Sequence, residues 1–188
     1  MSLLATGAAL VALLLSPGPT NTLIAIGGAT RGFLPALPLI GAEVAGYLAV
    51  ITPLALVGRP LLDAHPELAT GVRSLAAAWV MVLALRLWSA PPQTGAQRLV
   101  TFQRVLVTTL LNPKALVIAL VLLPATTPLG LLPWLAGFAL TVVVVACLWL
   151  AAGALLGRAT AGQLPPLLRR GAAGYLGVVA IGLVASAI

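Results

Sequence analysis

Six long apolar segments take up most of the chain, and they constrain its fold more than any other feature. A helix needs about 20 mainly apolar residues to cross the hydrocarbon core of a bilayer. The segments cover about residues 3–30, 33–58, 73–89, 105–127, 131–156 and 170–188. Only 7% of the 188 residues are charged, against about 25% in a typical soluble domain. We therefore predict an all-α integral membrane protein that forms a single transmembrane domain over residues 1–188.

Proline interrupts the first and the fourth apolar segments. The interruptions consist of Pro17, Gly18 and Pro19 in the first segment and of Asn112, Pro113 and Lys114 in the fourth. A proline inside a helix removes a backbone donor, at a cost of about 3 kcal/mol. In lipid, the backbone freed by such a break must be buried in protein or line a wet cavity. A single break is explained equally well by a packing kink, but its recurrence favours a functional site. We predict that helices 1 and 4 are broken at mid-membrane.

The two halves of the chain resemble each other at a nearly constant offset. Residues 14–17 correspond to residues 110–113 at an offset of 96, and residues 33–35 correspond to residues 131–133 at 98. A unit of three spans is odd, so two tandem copies must have opposite orientations in the membrane. This predicts two inverted three-helix repeats, at about 1–90 and about 100–188. Interrupted helices at matching positions of inverted repeats point to the substrate site of a transporter.

Two ionisable residues, Glu43 and Lys114, lie inside apolar segments. Each lies about ten residues from its segment's start, which is ~15 Å along a helix and near the bilayer centre. Insertion of an acidic residue there costs about 2.5–3.5 kcal/mol, so such residues usually face the interior of a helix bundle and are functional. A protonated, satisfied core carboxyl is the other interpretation of Glu43. Asn21 and Asn112, beside the two breaks, can both donate and accept hydrogen bonds.

The formal net charge of +7 would suggest nucleic acid as the partner of a soluble protein. Here the arginines instead indicate orientation, because seven of the nine lie in or beside the first, third and fifth connections. These seven are Arg31, Arg86, Arg98, Arg104, Arg158, Arg169 and Arg170. By the positive-inside rule these connections are cytoplasmic, which places the N- and C-termini outside. The bilayer is therefore the expected partner, and nucleic acid is not.

Several other functions find little support in the sequence. Cys147 is the only cysteine, which excludes an internal disulfide, and the only histidine, His65, is more typical of a solvated loop than of a metal site. The chain has no phosphate-binding loop for ATP, no nucleophile–base pair for an enzyme and no cofactor motif. We therefore predict neither an enzyme nor a bound cofactor or metal.

Glycines recur at helical spacing in three segments. The pairs Gly28 and Gly32, and Gly153 and Gly157, are compatible with a homodimer and equally with packing inside one bundle. The sixth segment has glycines along its length, which predicts close contacts with other helices. These are Gly171, Gly174, Gly177 and Gly182.

Three motifs together resemble those of the LysE/RhtB family of amino-acid exporters, the LysE-type translocators. They are Pro17-Gly18-Pro19 in the first segment, Arg31-Gly32-Phe33 before the second and Asn112-Pro113-Lys114 in the fourth. The resemblance covers nearly the whole chain. It implies a six-helix bundle in the bacterial inner membrane that exports amino acids or related small metabolites, driven by the proton gradient. Glu43 is a departure, because the family usually has small residues there.

The resulting hypothesis is a secondary exporter whose substrate binds at the helix breaks, with the proton as coupling ion. The predicted substrate-binding residues are Pro17, Gly18, Pro19, Asn21, Glu43, Asn112, Pro113 and Lys114, and Glu43 is also the predicted proton-coupling residue. The alternative is a cation or heavy-metal exporter of the same superfamily. A metal site needs several buried ligands, and the apolar segments contain only Glu43 and Cys147.

Overall fold

The computed structural model describes residues 3–58, 65–89, 100–119, 127–160 and 166–185. These residues form α-helices and contain no β-strand, which confirms the predicted all-α class for this part of the chain. The helices are α1 (Leu3–Leu15), α2 (Pro19–Arg31), α3 (Phe33–Ala36), α4 (Pro38–Pro53), α5 (Pro66–Trp88), α6 (Phe102–Leu110), α7 (Pro113–Val117), α8 (Pro128–Ala159) and α9 (Pro166–Ala185).

Both predicted helix breaks are present. Helix α1 ends at Leu15 and α2 begins at Pro19, with a bend of 56° between them. Helix α6 ends at Leu110 and α7 begins at Pro113. A proline opens the second helix at each break, because the first helical position needs no hydrogen bond from its backbone nitrogen.

The second apolar segment is less regular than predicted. It divides into α3 and α4 at Leu37, and after Pro53 it continues as a π-helical turn, Leu54–Gly58. Pro38 opens α4, and Pro53 cannot donate within the helix, so the prolines mark both irregularities. Helix α5 also begins earlier than the predicted span start near Arg73, with Pro66 at its first position.

Two helical stretches are long and apolar enough to cross a membrane, namely Phe33–Gly58 and Pro128–Ala159. The bent pair Thr6–Leu15 and Pro19–Arg31 adds a third if it forms one span. These counts cover only the residues that the structure describes. The chain therefore has the helices of a multi-pass membrane protein, while the arrangement of six spans as inverted repeats stays a prediction.

The closest helix packing joins α2 to α8. A Cβ at Gly28 would overlap the Leu150 carbonyl oxygen, and one at Gly153 would overlap the Ala25 carbonyl oxygen. Gly157 meets the Ala29 carbonyl in the same way. Three of the four glycines that suggested a dimer thus pack helices within one chain. Gly32, the fourth, lies in the turn after α2 with a φ of 84°, which favours glycine.

The glycines of α9 do not make the predicted helix contacts. Among the residues that the structure describes, no atom lies within 4 Å of a Cβ built at Gly171, Gly174, Gly177 or Gly182. Helix α9 instead packs on α5 through its other face, where Ala173, Leu176 and Ala180 are buried. The spacing of the glycines does define one face of the helix, but it is the face that points away from the neighbouring helices.

Helix α4 lies between α6 and α8, and Ile40 and Ala42 belong to the larger of two buried apolar clusters. Tyr47 and Ile51, further along α4, belong to the second cluster, with Phe138 of α8. This arrangement brings the middle of α4 next to both helix breaks.

Candidate functional site

The two helix breaks meet at the backbone carbonyl of Ser16, the first residue after α1. The Lys114 Nζ, from the second break, donates to this oxygen at 2.6 Å. The Asn21 Nδ2 donates to the same oxygen at 3.0 Å and to the Leu14 carbonyl oxygen at 2.7 Å. The carbonyls at the end of α1, which lack helical partners, are therefore satisfied by side chains from both halves of the chain.

Gly18 makes room for the contact between the two breaks. A Cβ at this position would lie 3.1 Å from the Lys114 Nζ and 3.2 Å from its Cε. Gly18 has extended backbone angles that any residue can adopt. Its lack of a side chain therefore matters here for space and not for backbone conformation.

Asn112 holds the second break together and links it to the first. Its Oδ1 accepts a hydrogen bond from the Lys114 backbone nitrogen at 3.1 Å, which caps α7. Its Nδ2 donates to the Thr20 Oγ1 and to the Tyr47 hydroxyl, each at 3.2 Å. Only 4% of Asn112 is exposed. In this conformation the amide groups of both predicted asparagines thus bind the protein itself.

Sequence reasoning missed three residues of this polar cluster, Thr20, Tyr47 and Thr109. The Thr20 and Thr109 hydroxyls lie 3.3 Å apart, and Thr109 also donates to the Val105 carbonyl oxygen. The Tyr47 ring packs edge-on against Phe138 at 5.6 Å between ring centroids. Tyr47 lies one helical turn after Glu43, and that spacing could have indicated that the two share a face.

Glu43 is buried beside this cluster. Only 2% of the residue is exposed, and its Oε2 has no hydrogen-bond partner among the described residues. Tyr47, one helical turn further along α4, binds Asn112, so Glu43 lies near the break that contains Lys114. No direct ion pair joins the two in the described part of the chain. The site thus combines a buried carboxyl, whose Oε2 has no hydrogen-bond partner among the described residues, with an ammonium held by a backbone carbonyl.

The predicted prolines contribute through the backbone. Pro17 is exposed between the two parts of the first break, and Pro19 is buried as the first residue of α2. Pro113 is the first residue of α7. Seven of the eight predicted site residues therefore lie in or beside the two breaks, and the eighth, Glu43, lies in α4.

The basic connections come together at one end of the molecule. Arg31, after α2, donates to the Val100 carbonyl before α6, and the Arg170 guanidinium lies 5.7 Å from the centre of the Trp88 ring. Arg31 and Arg158 line one cavity of about 390 Å³. These contacts join the first, third and fifth connections.

His65 and Glu67 form an exposed polar pair at the start of α5. His65 is exposed and its Nδ1 lies 3.1 Å from the Glu67 Oε1. Among the residues that the structure describes, no three His, Cys, Asp or Glu side chains form a group that could hold a metal ion.

Comparison with known proteins gives one match. The model of a family described as LysE type translocator matches residues 11–187 of the chain. No curated protein and no solved structure matches the chain. The family match spans both helix breaks and confirms the resemblance that the three sequence motifs indicate.

Proposed function

Because the chain belongs to the LysE type translocator family, we propose that it is a secondary active exporter of amino acids or related small metabolites. Export from the cytoplasm is driven by proton antiport. The observation that carries this proposal is the contact between the two helix breaks, where Lys114 meets the Ser16 carbonyl beside the buried Glu43. Opposite charges at one site suit a zwitterion, whose carboxylate Lys114 binds and whose ammonium Glu43 attracts.

The proposed substrate site consists of both breaks and the facing part of α4. The residues are Pro17, Gly18, Pro19, Asn21, Glu43, Asn112, Pro113 and Lys114. Glu43 also carries the coupling proton, because protonation from the outside cancels its attraction for the substrate ammonium. After it has released the substrate outside, the carrier reopens to the cytoplasm with the proton bound.

The helix contacts support the proposed inverted repeats, at about 1–90 and about 100–188. Exchange of the halves replaces α1 and α2 by α6 and α7, α4 by α8, and α5 by α9. The packing of α2 on α8 then becomes that of α7 on α4, and the packing of α1 on α8 becomes that of α6 on α4. All four of these pairs are in contact, as are α4–α8 and α5–α9, which map onto themselves. This correspondence is expected of two repeats related by a pseudo-two-fold axis in the membrane plane.

The shared end of the first, third and fifth connections supports the proposed orientation in the bacterial inner membrane. Cytoplasmic connections of membrane proteins carry an excess of Lys and Arg. The contacts of Arg31 and Arg170 bring three arginine-bearing connections to the same end. We place this end in the cytoplasm and both termini outside.

Efflux from liposomes tests the proposal. Purified protein is reconstituted in vesicles loaded with a panel of labelled amino acids, and efflux is measured with and without an imposed pH gradient. We expect wild-type protein to accelerate efflux of at least one amino acid and the gradient to increase it further. Efflux of divalent cations with none of the amino acids would instead favour the cation exporter. Efflux that does not respond to the gradient would contradict proton antiport.

Glu43→Gln is the informative variant in the same assay. The substitution keeps the shape of the side chain, and the Oε2 has no hydrogen-bond partner in the described part of the chain, so we expect folded protein without proton-driven efflux. Glu67→Gln is the matched control, because Glu67 is exposed and lies away from the breaks. Undiminished, pH-driven efflux by Glu43→Gln would remove Glu43 from the mechanism.

A further inference from the structure

We propose that the Ser16 carbonyl oxygen is the subsite for the ammonium group of the substrate, and that Lys114 competes for it as a tethered ammonium. This inference rests on the proposed export of amino acids and assigns one part of its site. It concerns the ammonium end of the substrate, whereas the proposed contact with Lys114 concerns the carboxylate end.

The chemistry of the subsite is that of a primary ammonium. A lysine side chain ends in a positive group with three donors and no acceptor, as does the amino end of an amino acid. The distance of 2.6 Å from Nζ to the Ser16 carbonyl oxygen is that of a short, charge-assisted hydrogen bond. An oxygen that binds this ammonium is equally suited to bind that of a small molecule.

The local backbone favours a cation at this oxygen. Helix α1 has 13 residues and ends one residue before Ser16, and the C-terminal end of a helix carries partial negative charge. The Asn21 Nδ2 binds both the Leu14 and the Ser16 carbonyl oxygens. These contacts do not involve Lys114, so Asn21 keeps the Ser16 carbonyl in place when the substrate ammonium replaces that of Lys114.

The Lys114 side chain can leave the subsite without disturbing the surrounding backbone. Its ammonium reaches the carbonyl on a flexible four-carbon chain, across Gly18, where no side chain blocks its path. The position of α7 does not depend on this contact, because Asn112 caps the helix through the Lys114 backbone nitrogen. Release of the ammonium therefore breaks a side-chain contact and leaves the helix cap intact.

When the substrate ammonium replaces the Lys114 ammonium at Ser16, the charge near Glu43 stays the same. Its carboxyl is buried, and no direct ion pair joins it to Lys114 among the described residues. A substrate ammonium that replaces Lys114 at Ser16 restores a positive charge near this carboxyl. The released Lys114 ammonium is then available to the carboxylate of the same substrate, so one substrate replaces one internal contact by two new ones.

Matched pairs of amines and amino acids test the subsite. The probes are L-leucine with 3-methylbutylamine, and L-lysine with 1,5-diaminopentane, in which each amine lacks the carboxylate of its partner. Binding to the purified full-length protein is measured by calorimetry for wild type, Lys114→Met and Lys114→Arg. Thermal unfolding of each variant shows that it is folded.

Lys114→Met removes the competitor and the partner of the carboxylate together. We expect it to bind the amine more tightly than wild type, by roughly tenfold if Lys114 occupies the subsite nine-tenths of the time. The amino acid of the same pair should bind more weakly, and Lys114→Arg should show little of the gain for the amine. Amine binding that is unchanged or weakened in Lys114→Met would overturn the assignment.

A second measurement uses wild-type protein and does not depend on the folding of a variant. Lys114 is the only lysine in the chain, so incorporation of [¹⁵Nζ]lysine gives a single ammonium signal in NMR spectra. Saturation with the amine should shift this signal as Lys114 leaves the Ser16 carbonyl. An unchanged signal at amine saturation would overturn the inference.

Different experimental results would contradict the subsite assignment and the proposed function. If amino acids bind and are exported but the amine neither gains affinity in Lys114→Met nor shifts the Lys114 signal, only the subsite assignment is wrong. If the wild-type protein binds and exports no amino acid of the panel, the proposed function fails, and the subsite fails with it.

Discussion

At the scale of single residues, Asn112 does more than cap a helix. Its side chain accepts from the Lys114 backbone nitrogen in a partly buried contact and donates to Thr20 and Tyr47 in two buried ones. A lost N-cap costs about 0.5–2 kcal/mol, and a buried hydrogen bond contributes about 1 kcal/mol more. We expect Asn112→Ala to lower the free energy of unfolding by roughly 2–4 kcal/mol, measured by thermal or denaturant unfolding in detergent.

Thr127→Ala is the matched control for Asn112→Ala. Thr127 also caps a helix, through a hydrogen bond from the Gly130 backbone nitrogen at 3.2 Å, but this contact is exposed. Its loss should cost about 1 kcal/mol. Equal costs for the two substitutions would show that the contacts of Asn112 with Thr20 and Tyr47 do not contribute to stability.

The sequence predicted the charged residues of the proposed site but not the residues that lie around them. Glu43 and Lys114 stand out because charges are rare in apolar segments. Tyr47 and Thr109 do not, because an isolated hydroxyl in a membrane helix carries no such signal. Their importance comes from the register between helices that are far apart in sequence. The Ser16 carbonyl belongs to the backbone, so no residue type could have indicated it.

At the scale of helices, proline predicted the breaks and glycine did not predict the contacts. A proline limits its own helix whatever the surroundings, and both breaks therefore lie where the sequence placed them. A glycine only permits a close approach and does not choose the neighbour. Gly153 meets the backbone of α2, whereas Gly174 meets no neighbouring helix, although both have helical glycine spacing.

The contact between α2 and α8 gives a direct test of this distinction. A methyl group at Gly153 would overlap backbone atoms of Ala25, which cannot move aside as a side chain can. We expect Gly153→Ala to destabilise the protein by about 1–3 kcal/mol, the usual cost of overpacking. A lower Tm in detergent would be the readout.

Gly137→Ala in the same helix is the control. No atom of the described residues lies within 4 Å of a Cβ built at Gly137, and alanine is favoured over glycine in a helix by up to about 1 kcal/mol. The control should therefore leave the Tm unchanged or raise it. Equal Tm values for Gly153→Ala and Gly137→Ala would contradict the close packing of α2 on α8.

At the scale of the whole molecule, two independent patterns agree on one arrangement. Exchange of the halves maps α2–α8 onto α4–α7 and α1–α8 onto α4–α6, and all four pairs are in contact. The connections that contain most of the arginines meet at one end through Arg31 and Arg170. The first pattern concerns helix packing and the second concerns charge. Both are expected if each half crosses the membrane three times and the halves have opposite orientations.

Helix α5 is the sharpest place to test this arrangement, because it is not among the helices that meet the length and composition criteria for crossing a membrane. Its 23 residues span ~35 Å at 1.5 Å per residue, which is enough for a bilayer core. Its ends are flanked by the exposed residues His65 and Ser89. The proposed topology places His65 outside and Ser89 in the cytoplasm.

Single cysteines at these two positions decide both the crossing and its direction. In a Cys147→Ala background, which removes the only native cysteine, a membrane-impermeant maleimide is applied to intact cells whose inner membrane it can reach. We expect His65→Cys to react at once and Ser89→Cys to react only after the membrane is permeabilised. The reverse result would invert the orientation, since the positive-inside rule would then fail for this chain. Reaction of both cysteines in intact cells would mean that α5 does not cross the membrane, and neither half could then be a three-span repeat.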